Sequence, residues 1–487
     1  MGMCDMKRLM LSMLVLSGAV SAFAAELKVG FARTDITPPL GVSMPGYYQV
    51  RHAKSILDPL QINCVAFSDG AKSAFLMQVD TVSLSSWVAE RMRDAIIAAT
   101  GADRDSIMLH ASHTHDGGCL SKNLKRGNVV VGAKTEPLTE LYVKMATTRA
   151  ADAAVEAIRD LKAAKLSYNR SVARRISFGR RYKMKDGKVR TNPGTNTPDI
   201  VGPAGNPPDE SVQVLRIDRE GGKPICLINF QTHPDVVGGE TITADWPGLT
   251  RTVFEAATLG KTLCMVINGT QGDVNHCNVM PKPGELNGLK RDFDAVDRGY
   301  DHAWHMANVL AAAALSVWMK CIPLEAGPVN AATRTVRVPS QRPTPKELEW
   351  ARDVWAKHEA GKDAELPWKD MELTTEVARA GRMMRLADGP DYFDLPLIGI
   401  SIGKSVAFGG FPGEPFNEIG VAVKKNSPFT LTIPACLVNG SRGYFPFSDA
   451  YVQGGYESAT SPFGPSVADD LIVGQGELLE GLYRKGQ

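Results

Sequence analysis

Histidine is scarce in this chain, nine among 487 residues, yet three fall within six positions of the stretch HASHTHDGG at 110–118. His113 and His115 alternate, so on an extended backbone both imidazoles face the same side. That offers two metal ligands, or one ligand beside a free base; the plainer alternative is a pair of turn histidines on a solvated loop. Donors of matching chemistry stand elsewhere: His233 in FQTHPD, Glu414 in GGFPGEPFNE and Tyr444 in NGSRGYFP. Each has a bland reading by itself, a strand-end histidine, a carboxylate favouring a helix N-terminus and a core tyrosine. Two imidazoles and a carboxylate together fit zinc, which takes N and O donors at about 2 Å and can leave a position for water. Such a metal would bring the water pKa towards neutrality and polarise a carbonyl. A second imidazole could then take the proton.

These residues must be carried by regular elements. SAFLMQVD (73–80) and SIMLHA (106–111) read as strands, and SSWVAERMRDAIIAAT (85–100) and residues 140–161 have helical periodicity. SVQVLRIDREGGKPICLINFQTH reads as a hairpin about an EGG turn. Further strands are expected at 263–269, 405–411 and 430–440, and the charged stretch 340–385 as an inserted helical arm. Strands alternating with helices give an α/β fold of mixed sheet with flanking helices. Asp80, His113 and His115, His233, Asp273 to His276, Glu414 and Tyr444 each follow a strand. The metal site is therefore expected at the carboxyl ends of strands that share a sheet. His110 lies within its strand and is expected to be structural.

Composition narrows the partners. Lys7 and Arg8 precede an apolar run that ends in AFAA, so residues 1–25 read as a signal peptide and the chain as exported, periplasmic or secreted. Residues 26–487 then form the catalytic unit, with no second span long enough for a bilayer. A net charge of +2 and no dense basic stretch argue against nucleic acid, which leaves a small-molecule or lipid substrate. Apart from Cys4, seven cysteines lie at irregular spacings without a CxxC pair, against a cysteine-based zinc site.

The stretches ARTDITPP, HASHTHDGG, FQTHP, ADWPG, INGTQGDVNH, FPGE and NGSRGYFP occur in the order seen in the neutral (alkaline, non-lysosomal) ceramidase family. The chain resembles that family over most of residues 28–465. The resemblance implies one zinc ion held by His113, His233, Glu414 and Tyr444, with His115 as proton acceptor. It implies an active-site arginine in FGRRYK, for which Arg181 is preferred to Arg180. Two departures stand out. Asn275 replaces a serine on which the family's ceramide hydrolysis depends, followed by His276 in place of proline, and the family's C-terminal immunoglobulin-like domain is missing. Arg181 and Asn275 would orient substrate or stabilise an oxyanion. Asp80, Asp273 and Asp116 could each accept the second N–H of a ligating imidazole, as carboxylates often do; for Asp116 a solvated turn is the alternative. The reading is an exported zinc-dependent hydrolase in which zinc-activated water attacks an amide (N-acyl) or related bond. The alternatives are a zinc hydrolase of esters, sugar N-acyl groups or glycosides, and a zinc-bearing binding protein.

Overall fold

A computed structural model describes residues 26–47, 51–121, 136–282 and 297–486, with short pieces at 125–126, 129–130, 285 and 290–291. The expected signal peptide lies outside the described residues. None of the described helices is long and apolar enough to cross a membrane.

A nine-stranded sheet forms the centre. Its strands are β1 (Lys28–Asp35), β2 (Gln61–Ser68), β3 (Ser73–Val79), β4 (Ile107–Ala111), β5 (Lys162–Val172), β6 (Ser211–Arg219), β7 (Ile225–Phe230), β8 (Leu263–Asn268) and β9 (Ile322–Leu324). The order is β8-β7-β6-β5-β1-β2-β3-β4, with β9 against β5. Pairing is antiparallel except at β3/β4 and β7/β8, so the sheet is mixed as expected. A second sheet holds β10 (Val329–Pro339), β11 (Tyr392–Ile402), β12 (Val406–Gly410) and β13 (Leu431–Ala435), with β12 and β13 parallel.

Strand periodicity decides how these sheets layer. Along β3, Ala74 and Leu76 enter a core shared with Ile398, Ile400 and Phe408 of the second sheet. The alternate residues Phe75, Met77 and Val79 pack on α1 (Ser86–Thr100) and α2 (Pro137–Arg159). Along β8, Met265 and Ile267 face the second sheet, while Cys264 and Val266 face α3 (Asp245–Ala257) and α4 (Tyr300–Trp318). The far side of the second sheet buries Leu395, Leu397 and Ala407 against α7 (Asn417–Asn426) and α8 (Val467–Lys485). The result is helix, sheet, sheet, helix. Between β10 and β11, α5 (Pro345–Glu359) and α6 (Asp370–Leu386) occupy the stretch read as helical and pack around Ala351, Val354, Ala380 and Met383.

His110 ties these layers together. Its Nδ1 lies 2.7 Å from the Cys436 carbonyl beyond β13, and its Nε2 accepts the Asn268 N–H of β8 at 3.0 Å. β4 and β8 stand at opposite ends of the strand order, so the large sheet curls until one imidazole spans its two edges. The cysteines at 64, 119, 226, 264, 277, 321 and 436 form no disulfide.

Candidate metal centre

The strand ends named from the sequence do not share one sheet. β4 and β7 of the large sheet deliver the histidines, and the segments after β12 and β13 of the second sheet deliver Glu414 and Tyr444. The separate strands meet where the two sheets face one another.

His113 adopts a left-handed backbone, φ 75°, so the extended-strand argument for its pairing with His115 does not hold. Such a conformation is costly in a non-glycine residue and is kept only where surrounding contacts enforce it. Here the His113 N–H donates to the Thr81 carbonyl at 2.9 Å, and its Nδ1 lies 2.6 Å from the Val82 carbonyl. The ring is thereby turned towards His115, with the two Nε2 atoms 3.3 Å apart. His233 Nδ1 faces the Gln271 and Val274 carbonyls at 2.8 and 3.1 Å. The Nδ1 partners of both rings are therefore main-chain carbonyls, and neither Asp80 nor Asp273 supplies them.

Glu414 and Tyr444 are register partners in a short parallel bridge, so their side chains leave it on one side. Close approach here demands glycine twice: a Cβ at Gly413 would lie 2.4 Å from the Gly443 carbonyl, and one at Gly272 would lie 2.5 Å from that of Glu414. Glu414 Oε2 stands 3.1 Å from His233 Nε2 and 3.3 Å from His113 Nε2. It is buried, and neither approach has hydrogen-bond geometry. With Nδ1 of each ring donating to a carbonyl, both Nε2 atoms present lone pairs. Three lone-pair donors thus converge, with the Arg180 guanidinium at 3.3 Å from the His233 Nε2 and the remaining lone pairs placed to take a cation. Tetrahedral ligands at 2.0–2.1 Å from zinc stand about 3.4 Å apart, close to these separations. His113, His115 and His233 together form the one described group of three His, Cys, Asp or Glu side chains placed to hold a metal ion.

Burial works to raise the Glu414 carboxyl, but the two histidines outweigh it and hold it well below the usual carboxylate range. Burial, then His113, holds the His115 imidazole well below the ordinary histidine value. Burial, then Arg180, lowers that of His233. Burial and the Glu414 charge push the Tyr444 phenol well up.

Of the two adjacent arginines, Arg180 is the one that meets the histidines. Its Nη1 lies 3.3 Å from His233 Nε2 and its guanidinium 5.3 Å from the Tyr444 ring centre. Arg181, preferred from the sequence, begins a short strand and projects the other way, donating to Gln453 Oε1 at 3.2 Å and the Gly454 carbonyl at 3.1 Å. Neighbouring residues of extended chain point to opposite sides, and composition does not say which side faces the site. Both arginines converge on Glu457, whose Oε1 accepts Arg180 Nε at 2.6 Å. Sequence reasoning did not single out Glu457; a fully buried acid in GGYESAT becomes conspicuous only beside its arginines.

The remaining candidates divide. Asn275 is buried, accepts the Cys277 N–H at 3.0 Å and donates to Asn192 Oδ1 at 3.1 Å. His276 turns to Asp235 Oδ1 at 3.1 Å, outside the histidine group. Asp80 is held by Arg251 of α3 at 2.6 Å. Asp273 accepts the Asn417 N–H at 2.7 Å, and burial pushes its carboxyl up to about 6. Asp116 is fully buried against Arg51 at 3.0 Å, which rules out the solvated turn.

The sequence matches no protein-family model and no curated protein. Solved structures do resemble it. The neutral ceramidase from Pseudomonas aeruginosa aligns with a TM-score of 0.70 at 17% identity, over 95% of this chain and 75% of that one. A ceramidase complexed with C2 aligns with a TM-score of 0.69, also at 17% identity, over 95% of this chain and 76% of its own. At that identity the likeness is one of architecture, and it agrees with the resemblance read from the motifs: this chain has the fold of the neutral ceramidases.

Proposed function

We propose that the chain is an exported zinc-dependent hydrolase that cleaves an amide (N-acyl) or related bond, with the metal held by His113, His233, Glu414 and Tyr444. The convergence of Glu414 Oε2 with two imidazole lone pairs, buried and without hydrogen-bond geometry, carries this reading. The fold of the solved ceramidases adds the reaction class. Zinc bound there would polarise the scissile carbonyl and acidify water. With His113 Nε2 engaged as a metal ligand, the neutral His115 would carry its proton on Nδ1, and its Nε2, 3.3 Å from that of His113, would accept the proton of the attacking water. Arg180 takes the role first given to Arg181, holding positive charge against His233 and Tyr444 where an oxyanion would develop. Arg181 holds the 453–454 turn that walls the site. Asn275 keeps one amide hydrogen on Asn192 and offers the other to the substrate.

The test is the metal content of the purified protein beside His113→Ala and His233→Ala, with turnover on a mixed panel of amides, esters and glycosides. Near-stoichiometric zinc that is lost in both variants, with panel activity lost alongside it, is the expected result. Unchanged metal in either variant would refute that ligand. Metal-loaded protein that binds a ligand and cleaves nothing would replace the hydrolase with a binding protein.

A further inference from the structure

A cavity of about 760 Å³ lies between α6 and the segments 188–193 and 451–459. Its lining is mostly polar, with five basic and four acidic side chains interleaved, so it is not built for an anion. The charges that face each other stand slightly too far apart to close. Arg190 and Glu372 are 3.8 Å apart and Arg379 and Glu347 are 3.9 Å apart, while Arg190 bonds Asp186 at 2.9 Å and Arg379 bonds Glu376 at 3.4 Å within α6. A closed Arg–carboxylate pair measures about 2.7–2.9 Å, so the 3.8 and 3.9 Å contacts are open, and Arg190, Glu347 and Arg379 each also hold a partner of their own.

The cleft also reaches the reaction machinery through single side chains. Thr191, on its wall, donates to Glu457 Oε2 at 2.9 Å, and Glu457 holds Arg180. Asn192, on the same wall, holds Asn275. Gly455 lines the cleft, and the next residue, Tyr456, sets its ring 5.7 Å from that of Tyr444.

We propose that this cleft seats a polyhydroxylated, sugar-like group and presents its N-acyl bond to the metal centre; the proposal rests on the hydrolase reading above. A hydroxyl both donates and accepts, so a ligand rich in hydroxyls needs carboxylates, guanidinium groups and amides side by side at low net charge. A long acyl chain or sphingoid base needs an apolar wall, which this cleft does not provide.

The test uses the zinc-loaded full chain. N-acetylglucosamine, N-acetylgalactosamine, N-acetylmannosamine and their disaccharides are titrated by calorimetry and saturation-transfer NMR, with N-octanoylsphingosine in mixed micelles as the lipid arm. At least one saccharide binds, and Arg379→Ala and Glu376→Gln, both on the surface of α6, each weaken its Kd tenfold or more. His113→Ala keeps the binding within about threefold and loses turnover. No saccharide binding, or binding that neither cleft variant changes, overturns the proposal. A saccharide held by the cleft but never cleaved refutes the hydrolase reading alone. Amide cleavage with KM unchanged in both cleft variants refutes the cleft alone.

Discussion

His110 gives a prediction whose size follows from its surroundings. The imidazole is fully buried, and its two nitrogens serve opposite purposes, Nδ1 donating to Cys436 and Nε2 accepting from Asn268. Protonation would place an N–H on Nε2 against the Asn268 N–H. Burial accordingly lowers the pKa to about 4, against 6.5 for a free histidine. The unfolded chain takes up this proton at higher pH than the folded one. The stabilisation is therefore complete above about pH 6.5 and is lost as pH falls through about 4. That gap, at about 1.4 kcal/mol per pH unit, amounts to about 3 kcal/mol. Guanidinium denaturation of the wild type and His110→Gln between pH 7.5 and 4.5 measures it. Both proteins carry the same metal ligands, so the titration of those residues cancels in the difference. At pH 7.5 the variant is expected to be weaker by about 1–3 kcal/mol, the cost of one unmatched main-chain group. Below pH 6.5 the wild type should lose stability faster than the variant by about 1 kcal/mol per pH unit. Parallel pH dependence, or an NMR titration of His110 near 6.5, would refute the tautomer and the strut.

Three further outcomes follow. Gly272→Ala forces a methyl against the Glu414 and Pro415 carbonyls, and should weaken zinc binding at least tenfold by competitive chelation while far-UV circular dichroism stays unchanged. Arg180→Ala strips Glu457 of its main cation and should cost about 3–5 kcal/mol in chemical denaturation; the double variant Arg180→Met with Glu457→Leu should recover most of it, and failure to recover would show that the pair is not a closed charge unit. Asn275→Ser should bring hydrolysis of N-acylsphingosine above the wild-type level in a fatty-acid release assay, and no gain would remove residue 275 from the determinants of specificity.

The strands at 73–79, 107–111, 225–230 and 263–268 were legible because each is a short, mostly apolar run, buried on both faces. β10 and β11 escaped notice for the opposite reason: their outer ends are exposed, and polar residues break the pattern. His113, His233 and Glu414 could be singled out because their residue types are metal donors, and the structure brings these three together. What could not be read was the surroundings. Asp80 resembles a histidine partner until Arg251 arrives from a helix far along the chain. Asp116 resembles a turn residue until Arg51 covers it. Adjacent arginines differ only in which way the strand points them, and that is settled by neighbours hundreds of residues distant.

The donors at 113, 233, 414 and 444 come from opposite ends of the polypeptide and from two different sheets. No contiguous half of the chain can assemble them, and their contacts are of the long-range kind that forms slowly. If these donors hold a metal as proposed, its capture would be a terminal event in maturation, possible only after the last strand has joined. A chain that stalls part-way would hold scattered histidines with no shared focus, and an ion bound at the finished site would mark completed molecules.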